Sequence, residues 1–228
     1  MAQIFGPKAN TLSRLSIYGA FGAAGLALLV LFVYSRSPYP SFVQYAPQQP
    51  VPFSHLIHVG QRKIDCRYCH SSVEVSASAG IPPTQTCMSC HSVVRLDSKN
   101  LQPVRDSYQS GNPIQWTRVH DLGDFVYFNH SIHVAKGVGC STCHGQVSQM
   151  GPAAPGVDPT APMKQVQPLT MGWCLDCHRA PEKYLRPQSE IYNTDYVEPA
   201  NQLEIGRQLI QDNKIQVSKL QNCSICHR

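Results

Sequence analysis

The sequence predicts one N-terminal transmembrane helix followed by a domain of short helices and long irregular loops, with little sheet. Three observations lead to this prediction. Residues 15–34 carry no charge, all ten cysteines fall in five copies of Cys-x-x-Cys-His, and 18 prolines interrupt the chain. The pentapeptide is the attachment signature of c-type haem, in which both thiols bond to the haem and the histidine binds its iron. The fold class is therefore that of a multihaem c-type cytochrome.

The uncharged run at residues 15–34, LSIYGAFGAAGLALLVLFVY, is long enough to cross a bilayer as a helix. Tyr18 and Tyr34 lie near its ends, where aromatic residues favour the membrane interface. A cleaved signal peptide is the alternative, but no small-x-small cleavage site follows the apolar run. We therefore expect an uncleaved transmembrane anchor.

The orientation of the anchor follows from charge and from haem attachment. Lys8 and Arg14 precede the run, and Arg36 is the nearest charge after it, which is a weak positive-inside bias. Covalent haem attachment takes place outside the cytoplasmic membrane, and this determines the orientation of the anchor. We expect a single-pass protein of the bacterial inner membrane, with residues 1–14 cytoplasmic and the haem domain periplasmic.

Small residues recur along one side of the anchor at Gly19, Ala23 and Ala27. Such stripes let helices approach closely in lipid, which favours docking against a partner's membrane helix. The alternative is that glycine and alanine are simply common in membrane spans. Residues 35–52 then form a semi-rigid linker rich in proline, and residues 53–228 form the pentahaem domain.

The five attachment motifs use every cysteine, so none is left for a disulfide. We number them in chain order. They are site one (Cys66, Cys69, His70), site two (Cys87, Cys90, His91), site three (Cys140, Cys143, His144), site four (Cys174, Cys177, His178) and site five (Cys223, Cys226, His227). Five covalently bound haems c are therefore predicted, each with its motif histidine as the proximal iron ligand.

The histidine count predicts the opposite axial ligands. Besides the motif histidines, the chain has five more: His55, His58, His120, His130 and His133. Five irons with one proximal ligand each have five open axial positions. The number of spare histidines equals the number of open positions, which predicts bis-histidine ligation at every haem. The alternative is methionine ligation at one haem, by Met88, Met150, Met163 or Met171, with His120 the weakest histidine candidate because it lies outside the paired pattern.

An internal repeat organises these residues. Repeat one, residues 53–91, contains Phe-x-His-x-x-His and then sites one and two; repeat two, residues 128–178, contains the same pattern and then sites three and four. Site five lies alone in residues 181–228. Residues 125–128 form a strand-like run before repeat two, and Asn201 to Glu204 resemble a capping box that opens a helix ending near Asn213. Residues 151–168 are a long loop, either a partner contact or a neutral insertion.

Zinc is the main competing interpretation of the cysteines. Sites one and two follow a Cys-x2-Cys-x17-Cys-x2-Cys pattern, which falls within the zinc-ribbon range. The spacings between the later motifs do not continue this pattern. A zinc ribbon uses two Cys-x-x-Cys pairs, and five pairs cannot be divided into such sets. Zinc also requires no histidine directly after each cysteine pair. Haem is therefore the prediction.

The formal charge of +5 does not indicate nucleic-acid binding. Haem propionates would supply acidic partners for the basic residues. The extramembrane chain is also too short to build an ordinary hydrophobic core around five cofactors, so we expect the haems to form the core. Bis-histidine ligation leaves no open coordination site, which favours electron transfer over catalysis. Paired imidazoles also imply lower potentials than methionine ligation.

The Phe-x-His-x-x-His unit before each Cys-x-x-Cys-His resembles the class III, cytochrome c3-like multihaem cytochromes. In that family the first histidine of the pair ligates its own haem and the second ligates another. The resemblance implies that His55 serves site one and His130 serves site three. It also implies that His58, His133 and His120 reach sites two, four and five, in an order that stays open.

Nearly the whole chain resembles the pentahaem cytochrome c subunit of alternative complex III, a bacterial quinol oxidoreductase. The resemblance rests on the anchor, the five sites and segments 51–55 (VPFSH), 64–70 (IDCRYCH), 80–84 (GIPPT), 118–130 (RVHDLGDFVYFNH) and 169–174 (LTMGWC). It implies an electron-transfer subunit rather than an enzyme. The implied partners are an iron-sulfur subunit related to molybdopterin enzymes, quinol-oxidising membrane subunits, a monohaem cytochrome c and a terminal oxidase.

Two other functions stay open from the sequence. A self-sufficient, membrane-anchored quinol dehydrogenase feeding periplasmic reductases would need a haem beside the membrane with a replaceable ligand. A haem enzyme acting on small nitrogen or sulfur species would need a five-coordinate iron, which the histidine count does not leave.

Overall fold

The structure is a computed structural model that describes residues 5–37, 39–152 and 162–227. It divides into two compact units, the first ending at Phe42 and the second beginning at Val43. The first unit consists mainly of helix α1, Ala9–Arg36, with a short 3-10 turn at Tyr39–Ser41. The second unit contains all five attachment sites.

Helix α1 is 28 residues long and contains the whole predicted span of residues 15–34. Its mean hydropathy is 2.1 over the most apolar 18 residues, and its side chains are exposed in the isolated chain. A helix of this length and composition can cross a bilayer as an anchor, and a signal sequence has the same features. It ends where Ser37 N donates to Tyr34 O, and the Arg36 guanidinium lies 4.5 Å from the Phe32 ring centroid.

The second unit is built of short helices joined by irregular chain. Its α-helices are α2 (Cys66–Cys69), α3 (Thr84–His91), α4 (Gln102–Ser110), α5 (His130–Ala135), α6 (Cys140–His144), α7 (Met171–Arg179), α8 (Gln202–Asp212) and α9 (Cys223–Cys226). A π-helix spans Leu56–Gln61. Single 3-10 turns occur at Lys99–Leu101, Val147–Gln149, Pro181–Lys183, Gln188–Glu190 and Val217–Lys219. The predicted helices at the attachment sites are confirmed, because α2, α3, α6, α7 and α9 each carry one.

Sheet is nearly absent from the described residues, as predicted. The β-structure there is one isolated antiparallel bridge between Val138 and Leu185. The strand-like run at 125–128 does not form a strand. Its backbone instead bonds to site five, where Tyr127 N donates to Cys226 O over 2.8 Å.

The second half of the predicted linker packs onto the haem domain. Val51 is buried, and Gln49 makes a paired hydrogen bond with the backbone of Thr117, donating from Nε2 and accepting at Oε1 over 2.8 and 3.0 Å. Most of the predicted 151–168 loop lies outside the described residues. Of the part that is described, Gln165 O accepts from Gln44 N over 2.7 Å.

Helix α8 confirms the predicted helix before site five but not its predicted cap. Asn201 precedes the helix, and its side chain makes no capping hydrogen bond. The first turn is held by tertiary contacts instead. Gln202 Nε2 donates to Leu185 O over 2.7 Å, and Gly206 lies directly against the carbonyl of Glu182.

The apolar core of the second unit is small for its length. Seven buried hydrophobic side chains are found among the described residues: Val51, Val73, Val104, Val134, Met150, Leu185 and Ile191. Val73, Val134 and Ile191 form one cluster, with Cys140 of site three packed against it. This agrees with a domain whose interior is completed by cofactors rather than by aliphatic side chains.

Candidate haem-binding sites

The two cysteines of each attachment motif lie on one helical turn, and in α3, α6 and α7 the helix also includes the motif histidine. In a helix, residues three and four apart lie on one face, so the two thiols and the following imidazole approach a ligand from the same side. Two of the turns are capped by the preceding side chain. Asp65 accepts from Arg67 N at α2 over 2.8 Å, and Thr170 accepts from Trp173 N at α7 over 3.4 Å.

Burial raises the pKa of seven of the ten cysteine thiols and so favours their neutral form. Burial raises the pKa of Cys140 to about 11, that of Cys143 to about 12 and that of Cys177 to about 11. Zinc binds the thiolate. Within the described ranges, no group of three or more His, Cys, Asp or Glu side chains is arranged to hold a metal ion directly.

The imidazoles share one hydrogen-bonding pattern. In seven of the ten histidines, Nδ1 lies 2.7–3.1 Å from a backbone carbonyl oxygen. These are His58 (Ser54 O), His70 (Gly80 O), His91 (Val94 O), His130 (Ala77 O), His133 (Asn129 O), His178 (Leu220 O) and His227 (Phe125 O). A carbonyl oxygen can only accept, so Nδ1 carries the proton and Nε2 presents its lone pair. This is the tautomer and orientation that a metal-ligating histidine requires.

Three pairs of rings lie at the separation that a shared iron requires. The ring centroids are 6.1 Å apart for His58 and His91, 6.2 Å for His133 and His178, and 6.4 Å for His130 and His144. An iron bound on each side by an imidazole nitrogen about 2 Å away holds two ring centroids roughly 6 Å apart. The residues present therefore fit a bis-histidine iron at sites two, three and four.

The two repeats reproduce one geometry. Phe53 stacks on His58 at 4.4 Å and meets His55 edge-on at 4.9 Å. Phe128 does the same in repeat two, at 4.5 Å to His133 and 4.8 Å to His130. In each repeat the phenylalanine ring thus contacts both spare histidines. The backbones differ, because the segment after His55 is a π-helix and α5 is an ordinary α-helix.

His55 and His120 present buried nitrogens that have no hydrogen-bond partner within the described chain. The atoms are His55 Nδ1 and His120 Nε2. Burial lowers the pKa of each imidazole to about 4, so both are neutral at physiological pH. An unsatisfied buried nitrogen is costly unless a group outside the chain satisfies it. His120 Nε2 therefore fits a cofactor ligand.

His120, which the resemblance assigns to site two, four or five without choosing among them, lies beside site three in the structure. Its ring centroid lies 4.2 Å from that of His144, in an edge-on contact. The ring of His227, in contrast, stacks on Phe125 at 5.8 Å. Burial, with smaller contributions from His120, His130, His70 and His55, lowers the pKa of His144 to about 3. His144 thus lies in one region with His120, His130, His70 and His55.

Contacts between the sites, or between the segments that flank them, connect the five sites. Sites one and two meet where Tyr68 Oη lies 2.8 Å from Ser89 Oγ. The chain after site one meets the segment before site three, where Ala77 O accepts from both His130 N and His130 Nδ1. The series continues from α5 to site four and on to site five.

Two further contacts extend the series. The ring of His133, on the helix that leads into site three, faces His178 of site four. His178 Nδ1 then donates to the carbonyl of Leu220, just before site five. These contacts give the order two, one, three, four and five, which differs from the chain order. Site five also contacts Phe125 and Tyr127, on the segment that leads into α5.

Some features of the sites have no signal in the sequence. The carbonyl groups that orient the imidazoles belong to the backbone. Any residue type can supply such a carbonyl, so no sequence pattern marks these positions. Arg186 is a second example: it is buried against site three, 42 residues after His144, and lies in no recognisable motif.

Comparison with known proteins gives two matches. Residues 126–228 match the family described as cytochrome c7 and related cytochrome c. The chain is also 29% identical over 164 residues to the menaquinone reductase multihaem cytochrome c subunit of Nitratidesulfovibrio vulgaris strain Hildenborough, covering 67% of this chain and 78% of that one.

Both matches point to the same class, the multihaem c-type cytochromes with covalently bound haem c. The family match covers sites three to five, and the relative is a subunit of a quinone-linked complex. The chain is thus similar to a multihaem cytochrome c subunit of a menaquinone reductase and, over residues 126–228, to cytochrome c7 and related cytochromes c.

Proposed function

We propose that this chain is the electron-transfer subunit of a membrane quinol-oxidising respiratory complex. The observation that carries the proposal is the common orientation of the imidazoles, seven of which direct Nε2 away from a backbone carbonyl. When bound, haem c supplies one-electron exchange between ferric and ferrous iron. Saturated ligation by ten histidines leaves no position for a substrate.

The ligand pairs follow from the rings that face each other. His91 and His58 hold site two, His144 and His130 hold site three, and His178 and His133 hold site four. His70 with His55 completes site one, supported by the electrostatic effect of His70 on His55. His227 is the proximal ligand of site five. His120 is the remaining spare histidine, and it lies beside His144 rather than His227, so its assignment to site five rests on the histidine count alone. Electrons pass along the spatial order two, one, three, four and five.

The proposed setting is the periplasmic face of the inner membrane. Residues 1–14 are cytoplasmic, α1 is the anchor, and its stripe of Gly19, Ala23 and Ala27 contacts partner helices. The proposed partners are an iron-sulfur subunit related to molybdopterin enzymes, quinol-oxidising integral membrane subunits, a monohaem cytochrome c and a terminal oxidase. The match to a menaquinone reductase subunit supports a quinone-linked assembly.

The relative's name also favours a second candidate, in which electrons flow toward quinone rather than from quinol. The natively purified complex separates the two directions. Under anaerobic conditions a quinol analogue should reduce the haems within the turnover time of the complex. If only a periplasmic donor reduces them and added menaquinone analogue then reoxidises them, the second candidate is correct. Purification of the chain alone, without membrane subunits, would contradict both.

A self-sufficient quinol dehydrogenase is tested by the same assay on the isolated chain. Our proposal predicts no haem reduction when quinol analogue is added to the chain without partner subunits. Rapid reduction of the isolated chain would replace the proposal with that alternative.

A further inference from the structure

Arg186 is a buried cation that meets no carboxylate in the part of the chain that the structure describes. The residue is 6% exposed. Its Nη1 donates to Ser141 Oγ over 3.1 Å and to Asn193 O over 3.2 Å, and its Nη2 donates to Thr142 Oγ1 over 3.1 Å. Nε is buried without a partner. The ion pairs among the described residues involve Arg67 and Arg118 instead.

The guanidinium stays charged in this environment. Burial lowers the pKa of Arg186, but an arginine begins from a value so high that it is protonated at any physiological pH. Its carbon Cζ lies 4.4 Å from the ring centroid of Tyr196, which stabilises a cation through the ring face. Glu190 and Glu198 act on it electrostatically from a greater distance.

The charge is fixed against the attachment turn of site three. Ser141 and Thr142 are the two residues between the cysteines of that motif. A Cβ added at Gly139 would collide with the Arg186 guanidinium, so the glycine before the motif allows this approach. Arg186 N also donates to Gly137 O over 2.9 Å, which holds the segment beside the turn between α5 and α6.

We propose that the positive charge of Arg186 raises the reduction potential of the haem at site three. This inference rests on the proposed attachment of haem at Cys140 and Cys143. Ferric iron carries one more positive charge than ferrous iron, so a fixed cation in a poorly solvated site favours the reduced state. Site three is in the middle of the order two, one, three, four and five, so the effect favours electron occupancy at the centre of the relay.

The test is a spectroelectrochemical titration of the full-length chain, comparing wild type with Arg186→Met and Arg186→Lys. Removing the charge should lower one of the five transitions by at least a tenfold change in its equilibrium constant, about 59 mV for one electron. The lysine variant keeps the charge and should shift that transition by less than half as much. Arg207→Met, which removes an exposed arginine on α8, is the matched control and should shift none.

Unchanged potentials in Arg186→Met with all haems attached would overturn the proposal. If both Arg186 variants load fewer haems than wild type, the residue has a structural role only, and the proposal is equally overturned. Because the titration reads the isolated chain, its result does not depend on the partner complex. A wild-type chain with no haem at site three, shown by peptide mass analysis, would instead count against the proposed function itself.

Discussion

The imidazole rings of His133 and His178 face each other with centroids 6.2 Å apart, although they come from different helices and different parts of repeat two. Each ring donates Nδ1 to a backbone carbonyl, His133 to Asn129 O and His178 to Leu220 O. Both Nε2 lone pairs are therefore available between the helices. This relationship ties site four to the helix that leads into site three.

Replacing His133 with alanine should leave one iron five-coordinate. The expected result is a high-spin signal in the electron paramagnetic resonance spectrum that accounts for about one fifth of the haem, with all covalent attachments intact. Ser131→Ala, on the same helix, is the control and should leave every haem low-spin. A fully low-spin spectrum in His133→Ala would show that another residue ligates site four.

Ending the chain after Asn222 should remove one haem and only one. The deletion takes Cys223, Cys226 and His227, together with the bonds from Tyr127 N to Cys226 O and from His227 Nδ1 to Phe125 O. Pyridine haemochrome analysis with intact mass measurement should show four haems per chain. A truncated protein with the same haem count as the wild type would mean that Cys223 and Cys226 do not attach a haem.

Gly206→Ala should destabilise the domain by about 1–3 kcal/mol. A Cβ at this position would meet the backbone of Glu182, which cannot move aside as a flexible side chain could. The midpoint of thermal unfolding of the holoprotein measures the effect. Gly172→Ala on α7 is the matched control, because nothing lies within 4 Å of its added Cβ, and its midpoint should be unchanged or slightly higher. Equal midpoints for the two variants would contradict the packing of α8 on residues 181–183.

Asp65 should stabilise the domain above pH 4 and lose this effect as the pH falls. Hydrogen bonds from Arg67 lower the pKa of Asp65 to about 2, below its ordinary value of 3.8. A depressed folded-state pKa means that the stabilisation is present above the unfolded value and disappears as pH approaches 2. The difference in urea midpoint between wild type and Asp65→Asn should therefore be larger at pH 5 than at pH 2.5. A difference that is the same at both pH values would contradict this.

The sequence predicts the parts of the sites that local chemistry determines. Cys-x-x-Cys-His requires one helical turn, and the structure has a helix at every copy. Repetition of Phe-x-His-x-x-His predicts equivalent local geometry, and Phe53 and Phe128 contact their histidines almost identically.

Long-range pairing could not be predicted, because spacing along the chain does not say which site each spare histidine reaches. The resemblance left the assignments of His58, His133 and His120 open. In the structure His58 faces His91 and His133 faces His178, while His120 lies beside His144. The run at 125–128 has the composition of a strand, but its neighbour is the turn of site five, so it forms single backbone bonds rather than a ladder.

The central claim is that five haems are attached and that every iron has two histidine ligands. Haem quantification combined with electron paramagnetic resonance of the oxidised, natively purified complex tests it most directly, after subtraction of the signals of other haem subunits. We predict five haems on this chain, all low-spin with the g-values of bis-imidazole ligation. A high-spin or histidine–methionine signal amounting to one fifth or more of those haems would contradict the claim.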